Sequence, residues 1–124
     1  MSANLETGQL KRLLPEYAKA GVREMKLNST NFTEVEIEIL TENISNLTFL
    51  DLSFSKMTND QRTSLLYALK DSSNLQDLDL TGIDLSGVNI HLIKQSVHNV
   101  RKVFLEKNCL GKLGDICLLK VCKY

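Results

Sequence analysis

Asp51, Asp77 and Asp79, with Phe49, Phe54 and Phe104, are the side chains best suited to a functional role, and carboxylates beside aromatic rings suit binding rather than catalysis. The two histidines, His91 and His98, fall seven residues apart with no acid or nucleophile spaced to pair with them, so they read as solvated helix positions. No glycine-rich phosphate loop, H-E-x-x-H or G-x-S-x-G occurs. Cys109, Cys117 and Cys122 lack the C-x-x-C or Cys/His spacing of a zinc site. Cys117 and Cys122 lie five apart, where side chains on one helix diverge, so all three read as core thiols of a reducing compartment. Four N-x-S/T tripeptides begin at Asn28, Asn31, Asn43 and Asn46; with no signal-peptide stretch in the sequence they read as turn and capping residues rather than glycosylation acceptors. The expectation is a protein that is not an enzyme, with no catalytic residues, no cofactor and no metal.

The elements that would position the aspartates and phenylalanines come from internal repetition. Starting at Val22, Leu47, Leu75 and Val100, four segments carry apolar residues at offsets 0, 3, 5, 10, 18 and 22. At offset 3 these are Met25, Leu50, Leu78 and Val103; at offset 5, Leu27, Leu52, Leu80 and Leu105; at offset 18, Leu40, Leu65, Ile93 and Leu118. With 43% of the chain apolar, agreement at every one of those places has a chance probability on the order of 10⁻⁹ before the choice of register. Alternation with period two in the first half of each unit predicts short parallel strands near 24–28, 49–53, 77–81 and 102–106. Apolar residues four apart in the second half, as Leu40/Ile44 and Leu65/Leu69, predict a helix. Thr33 with Glu36 and Thr58 with Gln61 form capping boxes that mark helix starts, and Ser86 stands at the same offset.

The pattern is the L-x-x-L-x-L signature, and the unit Leu47–Asn74 resembles the leucine-rich repeats of the ribonuclease-inhibitor-like and NOD-like-receptor type. The resemblance covers residues 22–124, as repeats 22–46, 47–74, 75–99 and 100–124 in one domain. It implies an α/β leucine-rich-repeat solenoid of right-handed βα units, with a parallel concave sheet and convex helices, and it implies a recognition surface for proteins. Two family positions differ here: offset 14 holds Glu36, Gln61 and Asn89 before Gly114, and offset 8 holds Thr30, Ser55 and Ile83 before Asn108. An asparagine at offset 8 hydrogen-bonds turn backbone from inside, which Thr and Ser do in part and Ile83 does not.

Residues 1–21 read as an N-terminal capping helix region, with Leu10, Leu13, Leu14 and Tyr17 at helical spacing and a break at Pro15. At the other end Ile116, Leu119, Val121 and Tyr124 are expected to face outward as a C-terminal contact surface, taken up by a second copy of the chain as a homodimer or by another subunit. Fifteen basic residues balance fifteen acidic ones, so no strong field gathers nucleic acid. The longest apolar runs are too short for membrane insertion, and the expected location is cytoplasmic or otherwise intracellular.

On the concave side, offsets 2, 4, 6 and 7 would present Phe49, Asp51 and Phe54, then Asp77 and Asp79, then Lys102 and Phe104. Three of the four phenylalanines thus fall on a nominally wet surface, beside three carboxylates, a composition typical of protein interfaces. The predicted function is protein–protein recognition through this face. The alternative is a structural subunit of a larger assembly, held by convex helices and the C-terminal end. A metal on the three aspartates is disfavoured because flat strands rarely wrap enough ligands for calcium.

Overall fold

The computed structural model describes residues 2–4, 16 and 19–108. It is an α/β arrangement built on one parallel sheet whose strand order is the order of the sequence. The strands are β1 (Ser2–Asn4), β2 (Glu24–Lys26), β3 (Phe49–Asp51), β4 (Asp77–Asp79) and β5 (Lys102–Phe104). Their central residues Met25, Leu50, Leu78 and Val103 lie in one register and are at most 1% exposed. Neighbours on either side point the other way, as the pleat requires, so every strand from β2 on has one buried and one open face.

Backbone pairing runs on past the formal strand ends. Leu27 donates to Asp51 and Leu52 to Asp79, and two residues later Phe54 donates to Thr81 and Gly82 to Glu106. The longer strands expected from alternation are therefore present as hydrogen-bonded chain. The regular geometry stops earlier because Ser29, Phe54, Gly82 and Lys107, all at offset 7, adopt a positive φ between 56° and 77°.

Three helices are described: α1 (Glu34–Asn43), continued by a single 3₁₀ turn at Ile44–Asn46, α2 (Asn59–Lys70) and α3 (Ile90–Val97). Both capping boxes form, with the Thr33 and Thr58 hydroxyls accepting from the Glu36 and Gln61 backbone N–H groups. Ser86 does not cap the third helix. Asp84 Oδ1 accepts both its N–H and its hydroxyl, a turn at 85–88 follows, and Asn89 becomes the cap by accepting from the His91 N–H. Helix α3 consequently has 8 residues where α2 has 12.

The helices pack in sequence, α1 on α2 and α2 on α3, against the buried side of the sheet. One cluster joins strand residues Leu50, Leu52, Leu78 and Leu80 to helix residues Leu40, Leu65, Leu69, Ile93 and Val97. Buried polar side chains tie neighbouring units together. Ser55 donates to the Leu27 carbonyl and accepts from the Thr30 N–H; Asn108 Nδ2 donates to the carbonyls of Leu80 and Ile83; Ser96 donates to Leu66 of the preceding helix. At offset 8 Ser55 and Asn108 thus act as expected, whereas the buried Thr30 hydroxyl has no hydrogen-bond partner among the described residues and Ile83, 2% exposed, contributes apolar packing only.

Ahead of the residues that carry the expected capping helix, Ser2–Asn4 forms a strand paired parallel with β2. Glu16 and Lys19 are helical, and the Ala20 N–H donates to Glu16 O; Leu10, Leu13, Leu14, Pro15 and Tyr17 lie outside the described residues. So do the fourth predicted helix, the three cysteines, and Ile116, Leu119, Val121 and Tyr124.

Candidate protein-binding face

The open face of the sheet is assembled in cross-strand rows. Register places Glu24, Phe49, Asp77 and Lys102 in one row, and Lys26, Asp51, Asp79 and Phe104 in the next. Neighbours within a row are about 4.8 Å apart at the backbone. Six of the seven residues expected to bind a partner, Phe49, Asp51, Asp77, Asp79, Lys102 and Phe104, are therefore brought to one face, and Phe54 follows in the turn beyond β3. Phe54 and Phe104 are 53% and 39% exposed, whereas Phe49 and the three aspartates are half-buried.

Two of the carboxylates have local work. Asp51 Oδ1 accepts the Ser53 N–H and Asp79 Oδ1 accepts the Thr81 N–H, both at 2.9 Å, so each aspartate ends its strand by holding the turn two residues on. Asp77 meets Arg101 at 3.5 Å, with 72% of the arginine side chain in solvent. Lys26 stands in register with Asp51, and Lys102 with Asp77. The surface is thus of mixed charge, not the uniformly acidic patch that the aspartates alone suggest.

The aromatic rings are engaged by cations of β5 and its turn. Lys102 Nζ lies 5.2 Å from the centroid of Phe104, and Lys107 Nζ lies 5.9 Å from that of Phe54. Contacts of this kind are worth about 0.5–1 kcal/mol at exposed positions, enough to bias ring orientation. Phe54 also rests on Gly82, a contact that sequence reasoning did not anticipate. Its available signal was a lone glycine at offset 7, where the other units carry Ser29, Phe54 and Lys107.

Other candidate chemistry is dispersed. His91 and His98 are exposed. Asn43 is half-buried with its amide donating to Ile39, and Thr33 of the Asn31 tripeptide is occupied by its capping box. Among the described residues no group of three or more His, Cys, Asp or Glu side chains is placed to hold a metal ion. Among the same residues no helix is long and apolar enough to cross a membrane.

Neither the models of known protein families nor the curated proteins compared with the chain give a match.

Proposed function

We propose that the chain is a leucine-rich-repeat solenoid that performs no chemistry and recognises a protein partner inside the cell through the concave, open face of its sheet. The observation that carries this reading is the pair of aromatic side chains, Phe54 and Phe104, held in solvent on a face whose other side is fully used by the core. Exposed rings beside fixed polar groups are the usual anchors of protein interfaces, since a ring buries much area while losing few rotamers. The four-fold offset pattern and the in-order parallel strands support the solenoid. One domain over repeats 22–46, 47–74, 75–99 and 100–124 follows from the same pattern.

Selection from a displayed peptide library tests the reading. Parent chain and a Phe54→Ala/Phe104→Ala chain are panned in parallel, and peptides retained by the parent alone are expected. Enrichment identical on both chains would remove the open face from consideration. Exposed Tyr67 and Val35 on the helices, 55% and 44% accessible, favour the structural-subunit reading in that event.

A further inference from the structure

Gly82 and Phe54 occupy the same turn position in successive units, and they touch. A Cβ built on Gly82 would lie 2.6 Å from Cε1 and 3.0 Å from Cγ of the Phe54 ring, far inside van der Waals contact. The ring therefore lies directly on the glycine. From the next turn Lys107 Nζ reaches to 5.9 Å from the ring centroid, and yet the residue remains 53% exposed. Phe54 itself has φ +58°, a conformation that bulky L residues seldom adopt. Ser29 and Lys107 show that the turn takes other side chains in this conformation; what singles out this position is an aromatic ring with a glycine beneath it.

We propose that Gly82 is a positioning residue for recognition. By carrying no side chain it provides a flat seat for the Phe54 ring, with Lys107 reaching the same ring, so that the anchor is presented in one orientation before a partner arrives. This rests on the reading that the open face binds protein. An anchor already ordered spares the association the cost of fixing it, which is how preorganisation raises affinity. Any L side chain at position 82 removes the seat, because its Cβ and the ring claim the same space.

The experiment uses the full chain and a peptide selected on it. Proton NMR of the parent should show the Gly82 Hα resonances displaced by the ring current of Phe54, and Phe54→Leu should abolish the displacement. Gly82→Ala adds backbone strain at φ +77° as well as the Cβ, so Gly82→Asn is the decisive variant, since asparagine tolerates this region. Gly82→Asn is expected to retain the parent's fold by circular dichroism and to weaken peptide binding about tenfold, the size of a single ordered aromatic contact. In a Phe54→Leu background the same substitution should cost no further affinity. Gly82→Asn binding within about twofold of the parent would overturn the proposal. An undisplaced Gly82 resonance in a chain that binds peptide overturns the positioning role alone. A displaced resonance in a chain that selects no face-dependent peptide overturns the recognition reading and this role with it.

Discussion

The two faces of the same strands obey different rules. On the buried face each position holds one kind of residue in every unit: Met25, Leu50, Leu78 and Val103 in one row, Leu27, Leu52 and Leu80 in the next. On the open face the rows change character from strand to strand, as Glu24, Phe49, Asp77 and Lys102 show. The buried rows repeat because each unit covers its face only with its neighbours, which imposes the same volume and the same apolarity on all of them. No such demand acts on the open rows beyond the turn duties of Asp51 and Asp79. Under the proposed function, what varies there would discriminate between partners, and what repeats behind it would be scaffold.

The sharpest way to break this contrast is to attack the scaffold at its centre. Leu80 is 1% exposed and packs between the units before and after it. Leu80→Ala should cost about 2–5 kcal/mol through lost transfer energy and the cavity left behind. A thermal melt is expected to show the whole described array losing cooperativity together, and a melt superimposing on the parent would mean the buried rows carry no common load. The polar joint comes next in size. Asn108→Ala removes the donor to Leu80 O and Ile83 O, and with both carbonyls inside, about 1–3 kcal/mol should be lost. Ser55→Ala removes one donated bond and one accepted bond and should cost about 1 kcal/mol. Denaturant midpoints at constant slope would rank the two.

The buried face was legible in the sequence because volume and period repeat, and the strand register follows from offsets 0, 3 and 5 alone. The turn at offset 7 was not, since Ser29, Phe54, Gly82 and Lys107 share no side-chain property and only the glycine suggests a positive φ. The duty of the aspartates could have been read from the repeated Asp-Leu-Ser and Asp-Leu-Thr at 51–53 and 79–81, where a short carboxylate can accept an N–H two residues on. The late start of α3 turns on Asp84 capturing Ser86, a competition between two good capping residues that spacing does not arbitrate. Strand β1 is three residues with no alternation to detect, and its pairing is decided by β2 beside it.

On the open face the expected effects on binding and on folding separate. Phe54→Ala and Phe104→Ala should each weaken a selected peptide by more than about 1 kcal/mol, measured by calorimetry, while the thermal midpoint shifts less because neither residue is part of the buried core. Equal losses of affinity and stability would place the rings in the scaffold after all and erase the difference between the faces.

The smallest effect is expected at Arg101. Its guanidinium meets Asp77 Oδ1 at 3.5 Å with 72% of the arginine side chain exposed, a geometry in which water screens most of the attraction and ordering the side chain offsets much of the rest. Arg101→Ala should therefore change stability by less than about 1 kcal/mol, and that small difference should shrink further as salt is raised from 0.05 to about 0.5 M. Binding should respond differently. Freed of Arg101, the Asp77 carboxylate adds to the negative potential around Phe49, so a basic peptide should associate faster and with a steeper salt dependence, as edge charges usually act on the on-rate. Stopped-flow association measured across that salt range distinguishes the cases. If Arg101→Ala instead lowers stability by several kcal/mol at every salt concentration, the pair belongs to the scaffold, and the division between a repeating buried face and a variable open one would have to be redrawn through the row that holds Phe49 and Asp77.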